Sequence, residues 1–326
     1  MTSRRLIRIK VLQLFYAYTK TECTTIEKVE KDLLRSISKT TDLYYETLLL
    51  LVEIRNKAAQ KIDIARNRRF PSNQDLNPNT RFIENPIFSI IDTNNKYQNH
   101  INTNFISWAD NSETVLYFYN KLMNSPSYHK YMKKEDISFA DHKEFILYLF
   151  TELIAQDELF FQTIEDKNIF WNDDIEIVFN NIYKTIYRLK ESMISEETKE
   201  QDIFPKIYNT QEDAQFARSL ITKVCFNNEN NMNIIEKHIH NWELDRISEI
   251  DKIIMSCAIT ELRNFPSIPI KVTLDEYIDI AKNYSSIKSG AFINGVLDKV
   301  VEDLKENNQI IKTGRGLIDS SEKIQQ

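Results

Sequence analysis

An all-α fold is the expectation for this sequence, and three observations lead to it. Only four of the 326 residues are glycine, at positions 290, 295, 314 and 316, so the first 289 residues contain none. β-Hairpins lean on glycine and Asn-Gly turns, and a sheet-rich fold fits that composition poorly. Apolar residues recur instead at helical spacing. Ile293, Val296, Leu297, Val300, Val301 and Leu304 form an i, i+3, i+4, i+7, i+8, i+11 stripe. Finally, Thr273 and Glu276 have the spacing of a capping box, with Val272 and Tyr277 placed as a hydrophobic staple. A helix is therefore expected to start at Thr273, and a second near Ser289.

Taken in order, the first helix is expected over residues 3–19, with Ile7, Val11, Leu14, Phe15 and Tyr18 as its buried stripe. A long helical region follows from Ile26 to Arg69, broken near Thr40-Thr41-Asp42, where a new cap is available. Residues 70–104 are rich in Asn and Pro and poorly periodic, which predicts a loop-containing linker with short helices at most. Helical patterns resume at 111–123, 141–166, 174–194, 211–226, 230–242, 246–263, 273–284 and 289–306. The tail from Gln309 onward, with Gly314, Gly316, Ser320 and Ser321, is expected to fray. A weak internal repeat pairs Phe145 with Phe216, Leu149 with Leu220, Trp171 with Trp242 and Asp174 with Asp245, all at an offset of 71.

Composition excludes several function classes. A phosphate-cradling loop of the Walker or dinucleotide type needs glycine where backbone approaches phosphate, so those folds are ruled out. A net charge of -6 with 28% charged residues leaves no global basic field, and any nucleic-acid binding must be local. Three cysteines, at 23, 225 and 257, suit a reducing cytoplasm better than a disulfide framework. Arg4, Arg5, Arg8 and Lys10 interrupt any secretory apolar run, and the apolar stretch Leu48 to Val52 is far too short to span a bilayer. His238 and His240 stand two apart on an expected helix, point to different sides, and make no metal site. No Cys-x-x-Cys occurs, and the Asp173-Asp174 carboxylates have no nucleophile or histidine placed beside them. No enzyme, metal or cofactor is expected.

Two clusters point towards a phosphate-bearing partner. The chain opens with five cations before its first acid, Arg4, Arg5, Arg8, Lys10 and Lys20, of which Arg4, Arg5 and Arg8 share a helix side. Arginine forks match phosphate oxygens and stack on unpaired bases. The second cluster is the polar turn Asn283 to Ser289, which gathers Lys282, Lys288 and Phe292 around one helix junction. There an aromatic ring can stack a base while the amides of a helix N-terminus, at Ser289, accept a phosphate.

The segment Pro269-Ile-Lys-Val-Thr-Leu-Asp-Glu-Tyr-Ile-Asp-Ile-Ala-Lys282, followed by Phe292-Ile-Asn-Gly-Val-Leu-Asp298, resembles the ending of the NusB family of transcription antitermination proteins. Ser3-Arg-Arg-Leu-Ile-Arg-Ile-Lys-Val-Leu-Gln-Leu-Phe-Tyr16 resembles that family's arginine-rich opening. The resemblance implies a NusB-like helical bundle core divided as residues 1–40 and 206–308, a helical insertion at 41–205, and a flexible tail at 309–326. It implies an RNA-binding surface of Arg4, Arg5, Arg8, Lys10, Lys282, Lys288, Ser289 and Phe292, for boxA-type RNA in nascent ribosomal RNA leaders. It also implies docking of NusE, a ribosomal small-subunit protein, through Tyr16 and Asp251. The RNA polymerase elongation complex would be the target of both. Asp251 with Glu249 and Glu261 would offer that basic partner an acidic edge, while Gly295 would allow close helix approach.

This chain is more than twice the family's usual length. It carries Ser256 where many members have a basic residue, and Lys288 where some have an acid. Two other readings remain. One is a non-enzymatic helical scaffold with reduced RNA binding. The other, the appendage of an rRNA methyltransferase, is disfavoured because no glycine-rich methyl-donor motif follows.

Overall fold

The structure, a computed structural model, describes residues 3–21, 25–195, 199–208, 210–239, 247–286 and 288–318. Among them there is no strand. In chain order the helices are α1 (Ser3–Lys20), α2 (Ile26–Arg66), α3 (Asn73–Leu76), α4 (Pro86–Asp92), α5 (Asn95–Asn104), α6 (Ser112–Met123) and α7 (Pro126–Lys133). They continue with α8 (Phe139–Tyr148), α9 (Glu158–Lys167), α10 (Ile175–Arg188), α11 (Thr210–His238), α12 (Glu249–Asn264), α13 (Ile270–Tyr284) and α14 (Ser289–Glu306). The chain divides into two compact units, one made of residues 1–37 and 208–326, the other of residues 38–207. No helix among the described residues is long and apolar enough to cross a membrane.

The first unit is built around α12, which packs against α1, α11, α13 and α14. Residues 253–262 of α12 are all buried, polar ones included. A helix buried on every side must satisfy its polar groups from its neighbours. Asn231 of α11 does this for Ser256 and Thr260, with Nδ2 donating to the Ser256 carbonyl at 3.1 Å and to Thr260 Oγ1 at 2.8 Å. Ser256 is therefore a core residue, fully buried. Asn231 also explains why α11 is continuous where the pattern predicts a break after 226: the Asn-rich stretch is held by tertiary partners.

Two helix boundaries correct the sequence reading. Helix α13 starts at Ile270 and carries no side-chain cap, so the capping box is absent. Thr273 is fully buried and donates to Glu261 at 2.8 Å, while Glu276 receives Arg5 at 2.7 Å. Both members of the expected box are drawn off by stronger tertiary partners. The staple fails with it, since Val272 is exposed and Tyr277 is buried. The tail is also ordered further than expected. Thr313 donates its amide to the Pro266 carbonyl at 3.0 Å, and residues 314–317 form a 3-10 turn in which a Cβ on Gly316 would lie 2.0 Å from that carbonyl oxygen. Only a glycine fits there.

The second unit has an aromatic core. Tyr131 and Phe145 stack at 3.9 Å, Phe82 packs edge-on to Phe88 and Phe145, and Phe150, Phe160 and Phe179 form a further group. Helix α2 runs through Thr40-Thr41-Asp42 unbroken. Thr40 gives its hydroxyl to Asp174 at 2.6 Å, and Asp42 is taken by Lys39 and His100, so neither starts a new helix. Within 70–104, short helices α3, α4 and α5 are capped by Ser72, Asn85 and Asn94. The expected helix at 141–166 is interrupted: α8 widens into a π-helical stretch at Leu149–Ile154, and Asp157 caps a new start. Of the internal repeat, Phe145, Phe216, Leu149, Leu220, Trp171 and Asp174 are buried; Trp242 and Asp245 lie outside the described residues, as do Cys23 and His240.

Candidate nucleic-acid interface

The basic opening helix is largely neutralised by the protein itself. Residues 6–12 of α1 are all buried, because apolar residues at 6, 7, 9, 11 and 12 surround the helix rather than lining one side. Arg8 and Lys10 go in with them. Arg8 is 2% exposed and forms a two-pronged bridge to Glu261, both bonds at 2.8 Å. Burial opposes its charge, but the Glu261 carboxylate outweighs this and leaves the guanidinium above its ordinary value. Lys10 donates to Ser36 at 3.1 Å in the interior. Neither side chain is placed to meet RNA, which corrects the expectation for both.

Arg4 and Arg5 stay nearer the surface. Arg4 lies 5.1 Å from the Phe216 ring and 3.9 Å from Asp213. Arg5 binds Glu276 at 2.7 Å and Asp279 at 3.0 Å. The same Asp279 binds Lys282 at 3.0 Å, so α1 and α13 bring Arg5 and Lys282 to one carboxylate. The Lys282 hydrogen bond holds Asp279 below its usual range against the opposing effect of burial, and Arg5 adds a smaller pull in the same direction as Lys282. The Lys282 stem in turn crosses the start of α14: a Cβ on Gly290 would meet its Cγ at 3.1 Å. Gly290 is the glycine of close approach. Gly295 is exposed with open space around it, correcting the role expected for it.

At the α14 start, Lys288 is exposed and Phe292 half-buried, and together they line a cavity of about 360 Å³ with Ile247, Ser248, Asp251, Ser285, Ser286 and Ser289. Ser289 is buried and exchanges hydrogen bonds with Ser285 and Ser286. It also donates to Asp251 at 3.0 Å. Asp251 is 6% exposed, its Oδ2 is taken by Ser289, and its Oδ1 has no hydrogen-bond partner. The wall thus offers a flat ring, an ammonium, several hydroxyls and one unsatisfied acceptor, a set suited to an unstacked base. Ser285 and Ser286 were missed as site residues, and Asp251 was expected on a protein-docking face rather than in this wall; the Ser285-Ser286 and Ser289 spacing was the available signal.

The acidic edge expected on α12 does not exist. Glu261 is buried beneath Arg8, Thr273 and Tyr277, Asp251 faces the cavity, and Glu249 pairs with Lys20 at the surface. Asp251 is too enclosed to present a docking face. Tyr16, 39% exposed, does stand at the surface, with Lys20 5.6 Å from its ring. Among the described residues no group of His, Cys, Asp or Glu is arranged to hold a metal ion.

These features define an all-α protein with a mixed-charge strip leading from its opening helix to an aromatic-walled cavity. Residues 175–302, 128 of the 326, match the model of the NusB family. Three curated relatives carry the name transcription antitermination protein NusB. That of Salinibacter ruber is 47% identical over 32% of this chain and 64% of its own length. That of Chloroherpeton thalassium is 46% identical over 26% of this chain and 40% of its own length. That of Myxococcus xanthus is 40% identical over 28% of this chain and 66% of its own length. The matched stretch thus spans under two thirds of the relatives in each case. A solved structure of T. maritima NusB is 28% identical, covers 39% of this chain and 87% of its own, and superimposes with a TM-score of 0.27.

Proposed function

We propose that this chain is an RNA-binding transcription antitermination factor. It acts on boxA-type RNA in ribosomal RNA leaders, together with NusE, to keep the RNA polymerase elongation complex running. The observation that carries this reading is the convergence of Arg5, Lys282, Lys288 and Phe292 at the junction of α1, α13 and α14. Residues from the two ends of the chain meet there, and the family's name supplies the biological setting. Phosphates would follow Arg4, Arg5 and Lys282 with Lys288 at the cavity mouth, while a base enters against Phe292. NusE would dock beside Tyr16 rather than at Asp251, which belongs to the cavity wall. With a net charge of -6, the chain should bind RNA weakly alone and more tightly with a basic partner.

The test is a titration of boxA-like RNA with and without NusE. Phe292→Ala should weaken RNA binding by about 1–3 kcal/mol, the value of a lost base stack. Tyr16→Ala should remove the gain from NusE and leave binding by the isolated chain unchanged. Full RNA affinity in a folded Phe292→Ala variant would reject the cavity as the base site. The alternative, a helical scaffold with reduced RNA binding, is favoured by one observation: acids 3.0 Å or less from Arg5 and Arg8 already occupy two of the opening arginines. In that case no boxA preference would be measured.

A further inference from the structure

The second unit carries a surface of a different character on α10. Tyr183 and Tyr187 stand four residues apart, 44% and 61% exposed, with their rings 6.1 Å apart and inclined by only 11°. Beside them Lys184 and Arg188 are exposed, and Lys190 follows just past the helix end. Among the described residues none of these three cations has a carboxylate partner. Lys143 of α8 donates to the carbonyls of Tyr187 and Leu189 and lies 5.4 Å from the Tyr187 ring. It caps the helix and adds a fourth positive charge. The acids of this stretch, Glu176 and Glu191, lie at its two ends.

The contrast with α1 gives this surface its meaning. On α1 the arginines meet the protein's own acids, whereas on α10 the cations are left without them. A helix dipole favours cations in a last turn, but it does not account for two open tyrosines among them. Tyrosine contributes most to folding when its ring is buried; here Ile177, Val178, Ile182 and Ile186 already supply the buried face. Parallel, accessible rings interleaved with unpaired cations are the arrangement that holds a single strand, with bases on the rings and phosphates on the cations. The geometry points to α10 as a second, sequence-tolerant contact for single-stranded RNA. This goes beyond the reading of the α14 junction and does not depend on it.

Anisotropy titration of the full chain with a labelled oligouridine of about 12 nucleotides, a length within reach of such platforms, tests the site. Tyr183→Ala with Tyr187→Ala should weaken binding about tenfold, as expected for one lost stack. Tyr183→Phe with Tyr187→Phe should keep it, since the rings remain. Lys184→Glu with Arg188→Glu should flatten the dependence on salt by roughly 0.7 log unit for each phosphate no longer neutralised. Repeating each in the Phe292→Ala background reads the two surfaces separately. All four residues are exposed, so melting temperatures should not move. Unchanged affinity in the double alanine variant overturns the proposal, as does equal loss in the phenylalanine pair. If polyglutamate binds as tightly as oligouridine and is lost with the same tyrosines, the face belongs to an acidic protein and the RNA assignment is wrong.

Discussion

Arg8 belongs to the stability of the protein, and that turns a binding prediction into a folding one. Arg8→Ala leaves Glu261 buried without its cation, which should cost about 3–5 kcal/mol and be read as a lower urea midpoint. Arg8→Met with Glu261→Leu should recover part of that loss, because a buried pair can be exchanged for apolar groups at little cost. Equal stability of Arg8→Ala and the parent would refute the buried bridge. The thiols give a second residue-level expectation. Burial pushes Cys225 up to about 11 and raises Cys257 as well. Burial disfavours the thiolate, so a Cys23→Ser variant should react slowly with a disulfide reagent at pH 8. Cys225 should speed up as pH rises towards 11, and Cys257 should react only on unfolding. Rapid labelling of both thiols at pH 8 would contradict their burial. The sequence named the cations at the opening but not their fate, because the acid that claims Arg8 lies 253 residues away.

Among the elements, the contrast between two glycines can be measured. At Gly290 the atom in the way is Lys282 Cγ, on a flexible side chain; at Gly316 it is a backbone carbonyl. Gly290→Ala should therefore keep stability nearly intact while shifting the Lys282 ammonium. Gly316→Ala should unseat the turn at 314–317, and trypsin should then cut faster after Lys312 and Arg315. A cleavage rate equal to the parent's would mean that this turn does not need glycine. Helix existence was legible from apolar spacing, and the stripe of α14 came out buried at each of its six positions. Boundaries were less legible, and the physical reason is shared. Thr273, Glu276, Thr40 and Asp42 all have the chemistry of helix starts, but each is engaged by a side chain remote in sequence. A local motif cannot report that competition. The same limit hid the cavity, whose Asp251 and Ser289 are 38 residues apart.

For the whole molecule, residues 38–207 form a compact unit with its own aromatic core, which predicts that this segment folds when produced alone. Circular dichroism should then show a helical spectrum and a cooperative melt, and a non-cooperative melt would count against its independence. The resemblance carried by residues 269–298 falls inside the stretch that matches the NusB family model, whereas nothing in the sequence named a role for the middle, because its packing is built from aromatic contacts without a motif. The division of the first unit also has a consequence in time. Helix α1 is synthesised well before its partners, with Leu6, Ile7, Val11, Leu12 and Phe15, all of which end up buried. Its partners α11 and α12 are encoded more than 170 residues later, and the Glu261 that receives Arg8 lies in the second of them. At a synthesis rate of roughly 5–20 residues per second, the opening helix waits about 10–50 seconds for the surface that covers it. During that interval an apolar, arginine-bearing segment is without the surface that buries it in the folded unit. The burial of α1 is thus paced by translation.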